Sequence, residues 1–274
     1  MYSALRELLR DHTGGAPFTC FGAFHLCFIV AVFVSVAAVF FRIGRKRTGG
    51  GSDSGMRDGR RRAYEKAARV CIDLAFGLYV LDFFLMPFAY GEIDIEKLPF
   101  HVCTATCVMC FLSVRTRALR EWRIPFALLG FLSNLVYLLY PAGVMWYAVR
   151  PLTYRVIQTL LFHGVMAAYG AFALAWADSE LSWRNWPRNL AAIGGMTLWA
   201  LLGNTLYNGT AAEGTRFYNW FFVVRDPFGA VDPAVSPYLM PFLNTAVFFA
   251  AECLVLALFN AFRRRSAGEK ESDR

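Results

Sequence analysis

A chain of 274 residues that is 57% hydrophobic, 16% aromatic and only 18% charged is not a soluble domain, which carries about 25% charge. Its apolar runs approach or exceed the roughly 18–20 residues that cross a bilayer, so the sequence describes a polytopic membrane protein. The formal net charge of +8 needs no nucleic-acid partner, because the basic residues follow membrane topology.

A span in lipid must satisfy its own backbone polar groups, so each run is expected to be a helix and the fold class all-α: a polytopic membrane bundle of seven transmembrane helices within residues 18–262. The first run, Phe18 to Phe41, is about 24 residues long. A secretory apolar region is about 7–15, so this run reads as a true span. The others run from Val70 to Tyr90, Leu98 to Val114, Ile124 to Tyr140, Leu152 to Ala177, Leu190 to Tyr207 and Tyr238 to Phe262.

Of 28 Lys and Arg, ten lie in 42–69, four in 115–123, two in 184–188 and five in the C-terminal tail. Arg6, Arg10, Lys97, Arg150, Arg155, Arg216 and Arg225 fall on the opposite side, with Glu92, Asp94 and Glu96 in its second turn. The positive-inside rule puts the N-terminus outside and the C-terminus in the cytoplasm. Residues 43–67 read as a basic flexible cytoplasmic loop able to touch anionic lipid headgroups. Residues 208–237 form an aromatic external loop that lies on the membrane or caps a cavity, and 263–274 read as a disordered cytoplasmic tail. Asn208-Gly-Thr210 is a glycosylation sequon, which matters only in a host that glycosylates.

Ionisable groups inside spans are expensive and functional by default. At about 1.5 Å per residue, His25, Asp82, His101, Cys103, His163 and Asn204 all fall in the expected outer half of the core. Asp73 is expected to pair with Arg69 four residues earlier, and Glu252 with an arginine or tyrosine of the bundle. The seven cysteines lack the spacing of a disulfide framework or zinc ribbon. Cys103, Cys107 and Cys110 share a helix face, and the last two read as packing residues. Cys103 is the strong nucleophile candidate. Apolar surroundings disfavour its thiolate, so it needs a base. Placed on one helix, His101 and Cys103 would point about 200° apart, which makes His163 or His25 the easier partner. There is no GxSxG elbow, HExxH helix or P-loop.

Leu98-Pro-Phe-His-Val-Cys103 resembles the LP-x-H-x-C signature of the YwaF-like bacterial integral membrane proteins, a family grouped with transmembrane protein 164, a phospholipid acyltransferase in animals. Tyr154-Arg-Val-Ile-Gln-Thr-Leu-Leu-Phe-His-Gly164 looks like its second histidine segment, and Gly203-Asn-Thr-Leu-Tyr207 like its glycine-asparagine-tyrosine segment. His25 also fits, and the likeness covers about residues 18–262. Two features depart from the pattern: Thr205 stands where the family commonly has Tyr, and the loop before the last span lacks a glycine-proline-tryptophan run. The resemblance implies a bacterial cytoplasmic-membrane acyltransferase acting on phospholipid acyl chains. Cys103 would form the thioester, His163 would be the base, and His101, His25 or Asn204 would orient the substrate carbonyl or stabilise its oxyanion. Asp82 and Gln158 join them as substrate-binding candidates.

Two other readings use the same residues. His25, His101, His163 and Cys103 are ligand types for a metal or haem, although their spacing demands neither and no cofactor is expected. Asp82 and the histidines would also suit a polar path in a non-enzymatic transporter or receptor, which more often shows an internal repeat than this chain does. The expected partners are membrane phospholipids.

Overall fold

The computed structural model describes residues 7–9, 15–45, 53–91, 93, 95–145, 148–177, 181–208 and 217–272. The architecture is all-helical. Its long elements are α1 (Ala23–Arg45), α2 (Asp53–Tyr90), α3 (Val102–Arg115), α4 (Arg123–Leu139), α5 (Tyr154–Trp176), α6 (Trp186–Asn208) and α7 (Ser236–Ser272). Among the described residues six segments, each built on a helix other than α3, are long and apolar enough to cross a membrane.

α3 has 14 residues and a length of about 21 Å, short of the roughly 30 Å hydrocarbon core. The reason is local. Pro99 biases Leu98 away from helix, the Phe100 N–H turns back to the Leu98 carbonyl at 2.8 Å, and His101 is extended at φ −75° and ψ 139°. The helix therefore begins at Val102, not at Leu98 as expected, and His101 stands outside it. α2 runs the other way. Its 38 residues, about 57 Å, take in 53–69, where a flexible loop is expected over 43–67. Helix extension from an existing apolar segment needs no new nucleus, and Glu65 and Arg69 pair across one turn at 2.8 Å. α7 likewise draws in the expected disordered tail as far as Ser272.

The bundle is organised around α5, which packs chiefly against α2 and α4 and also against α1. Lipid offers little hydrophobic drive between helices, so close approach of small residues does much of the packing. A Cβ on Gly170 would lie 2.5 Å from the Phe131 Cβ on α4, and one on Gly164 would lie 2.9 Å from Val32 Cγ2 on α1. Met166, Tyr169 and Phe172 fill the same core with Cys103, Cys107 and Cys110, so the packing role expected for the latter two matches their burial. α1 and α7 instead leave Phe33, Val34, Phe242, Val247 and Leu254 exposed, as lipid-facing helices do.

Two expected pairings are corrected. Asp73 pairs with Arg115 of α3, while Arg69 is taken by Glu65; the helix contact outcompetes the local pair. Glu252 is buried, and neither of its carboxyl oxygens has a hydrogen-bond partner among the described residues, so the arginine or tyrosine partner suggested by the sequence is not found. Arg6, Arg10, Glu92, Asp94, Arg216 and the Gly209 and Thr210 of the sequon lie outside the described residues.

Candidate active site

His163 sits midway along α5, buried, and its Nδ1 lies 2.7 Å from Asn134 Oδ1 on α4. The Asn134 amide nitrogen donates to the Gly130 carbonyl at 2.7 Å. That bond turns the amide oxygen toward the imidazole, so Nδ1 carries the proton and donates it to Asn134. Nε2 is then the ring nitrogen with a lone pair. Tyr137, one turn on from Ser133 and Asn134, packs over the imidazole with ring centroids 3.8 Å apart.

His163 opens onto a cavity of about 420 Å³ that Cys103 also lines. Cys103 is in the first turn of α3 and buried, and on the neighbouring α4 the Ser133 hydroxyl donates to the Gly130 carbonyl at 3.3 Å. His101 reaches the same cavity. The 200° separation on a helix does not apply to it, because it precedes the helix; its ring meets the Phe222 ring edge-on at 6.0 Å. Tyr79, Tyr137, Gln158, Thr159 and Phe162 add further wall.

Charge enters from one end of the bundle. Asp82 on α2, 3% exposed, holds the Lys97 ammonium at 2.7 Å, and both line the cavity with Glu96, Arg155, Arg225 and Asp226.

A loop closes this end, clamped by asparagines. Asn204 of α6 donates to the Trp220 carbonyl at 3.1 Å and accepts from the Trp220 N–H at 2.9 Å. One turn later Asn208 does the same with Tyr218, at 2.7 and 2.8 Å. Asn244 of α7 donates to the carbonyls of Phe221 and Phe222 at 2.6 and 3.0 Å. These clamps hold Phe221 and Phe222 at φ 57° and 52°, left-handed backbone that bulky residues rarely adopt and that surrounding structure must enforce. Asp226 then turns the chain by accepting from the Phe228, Ala230 and Val231 N–H groups at 2.9, 2.6 and 2.9 Å. Those donors, Phe228 foremost, hold its carboxyl below the usual carboxylate range. Gly203 lets the loop's base close: Phe100 lies so near that a Cβ there would be 2.4 Å from Phe100 Cγ. Phe100 in turn stacks on Trp199 and meets Trp220.

Of the residues singled out in the sequence, Cys103, His163, His101, Asp82 and Gln158 meet at this cavity. Asn204 supports it from behind by holding Trp220. His25 does not line it. Its Nδ1 accepts from the Phe21 N–H at 3.0 Å, so its Nε2 donates to the Leu138 carbonyl at 2.8 Å, fixing the start of α1 to the end of α4. Sequence reasoning missed Asn134, Tyr137 and the cavity roles of Lys97, Arg155 and Arg225. The adjacent polar pair Ser133-Asn134 inside an apolar run was the available signal. Among the described residues no group of three or more His, Cys, Asp or Glu side chains is gathered as a metal site would need.

The fold and site together define an all-helical integral membrane protein with a buried cysteine and histidine lining one cavity. A family model described as the TMEM164 family matches residues 20–261, and the chain belongs to that family. Comparison with curated proteins and with solved structures returned no match.

Proposed function

We propose that this protein is a membrane acyltransferase that moves a phospholipid acyl chain through a thioester on Cys103. The observation that carries the reading is that Cys103 and His163 line one cavity while Asn134 holds His163 with Nε2 unprotonated. A cysteine, a histidine and an orienting amide are the parts of a nucleophile–base–orienter set. Nε2 takes the thiol proton and the sulfur attacks the ester carbonyl carbon. The carbon–oxygen bond of the donor breaks, and the leaving lysolipid oxygen takes the proton back from His163. A hydroxyl of an acceptor lysolipid, deprotonated by the same Nε2, then attacks the thioester carbonyl carbon; the carbon–sulfur bond breaks, and the leaving thiolate takes the proton back from His163. Water in that role would make the protein a hydrolase. His101 and Tyr137 are the candidate donors to the oxyanion that forms at each step, and Gln158 is placed to orient the substrate.

In this reading the aromatic loop faces outside, the C-terminus is cytoplasmic, α3 is the seventh helix of the membrane bundle, and the membrane is a bacterial cytoplasmic one. The bias of Lys and Arg supports the sidedness. The test is lipid remodelling by purified protein in vesicles. Cys103→Ala and His163→Ala should each abolish it while the protein stays folded, and full activity in Cys103→Ala would end the nucleophile assignment.

A further inference from the structure

At the other end of the bundle lies a second cleft, of about 590 Å³, lined by Arg61, Arg62, Arg69, Arg115, Arg117, Arg120 and Arg123 against two carboxylates, Asp58 and Glu65. It sits between the projecting first part of α2, the end of α3 and the start of α4, with Trp176 at the end of α5 as a flat wall. The twelve residues from Cys103 to Arg115 put it about 18 Å along α3 from the thiol, so it is a separate site.

Three nearby acids already have basic partners. Glu65 is held by Arg69 at 2.8 Å, Asp73 by Arg115, and Glu121 by Arg188 at 2.6 Å. Arg123 stacks over Trp176 with its guanidinium carbon 4.6 Å from the ring centroid. No ion pair between described residues joins Arg117 or Arg120 to a carboxylate, and both guanidinium-bearing residues are exposed. Seven guanidinium groups face two carboxylates in the lining, so the hollow keeps an excess of positive charge even with Glu65 and Asp73 paired, and that excess favours an anion. Guanidinium forks match phosphate oxygens in pairs, and the volume suits a ligand larger than a single phosphate.

We propose that this cleft binds a phosphate-bearing anion, either the headgroup of an anionic phospholipid in the adjoining leaflet or a soluble polyphosphate. The proposal does not rest on acyl transfer, and its test reads binding, not turnover. Full-length protein is placed in phosphatidylcholine nanodiscs at about 0.15 M salt, where the Debye length of about 8 Å screens distant charge. One arm titrates inorganic pyrophosphate and reads the melting temperature. The other compares retention of phosphatidylglycerol with phosphatidylcholine by native mass spectrometry. A positive first arm assigns a soluble ligand and a positive second arm a lipid headgroup. In either arm Arg117→Gln/Arg120→Gln should weaken binding by about tenfold or more, while Arg184→Gln, outside the cleft, should leave it unchanged. If the double variant does not fold, Arg62→Gln carries the comparison. Failure of both probes to bind, or binding that the cleft variants do not weaken more than Arg184→Gln does, overturns the proposal.

Discussion

Asn134→Leu is the sharpest perturbation of the site, because it leaves Cys103 and His163 in place and removes only what fixes the imidazole. The bond from Nδ1 at 2.7 Å is lost, and a buried N–H left without a partner costs about 1–3 kcal/mol. The ring can escape that cost by moving its proton to Nε2, which removes the base from the thiol. Working through the other tautomer over a barrier of that size slows the reaction by about tenfold to hundredfold. The assay is acyl transfer between defined lipids in vesicles, followed by mass spectrometry, with iodoacetamide alkylation of Cys103 as a second readout. Both rates should fall, and Asn134→Asp, which keeps the acceptor, should recover most of the loss. Wild-type rates and melting temperature in Asn134→Leu would refute the tautomer argument.

Other residues give independent checks. Gly203→Ala should lower stability by about 1–3 kcal/mol by pushing its Cβ into Phe100. Gly194→Ala and Gly195→Ala, which meet nothing within 4 Å, should change it by less than about 1 kcal/mol; thermal unfolding distinguishes them. Asp82→Ala strands the Lys97 ammonium, 18% exposed, and should destabilise by about 3 kcal/mol, with Asp82→Leu/Lys97→Met recovering much of it. Asp226 is held below the carboxylate range by the Phe228, Val231 and Ala230 N–H groups. Its contribution to the loop is therefore complete above the unfolded value of about 4 and lost as pH falls through the lower folded value. Hydrogen exchange at Phe228, Ala230 and Val231, taken relative to the intrinsic rate of an unprotected amide at the same pH, should accelerate on acidification in the wild type. In Asp226→Asn it should already be fast near neutral pH.

The apolar runs, and the cost of placing His163 or Asp82 inside them, were legible because lipid penalises polar atoms wherever they occur in the chain. Which of these groups meet was not. His25 and His163 look alike in sequence, yet one holds two backbone groups at the start of α1 and the other faces the cavity. Asn134 carries no mark that separates an orienting amide from a packing one, since its role depends on α4 lying against α5, 29 residues away along the chain. The start of α3 was misplaced because an apolar run does not show that Pro99 ends its helical part. That small shift also decided the direction of His101. Asn204 and Asn208 show helical spacing, but the loop carbonyls they bind were invisible without the fold.

If Cys103 carries the acyl group, intact-mass analysis of the protein after incubation with phospholipid vesicles will detect the thioester itself. A mass gain of one acyl chain is expected, removed by hydroxylamine, mapped to Cys103 and absent from Cys103→Ala. Lipid remodelling that proceeds with no adduct and at full rate in Cys103→Ala would contradict it.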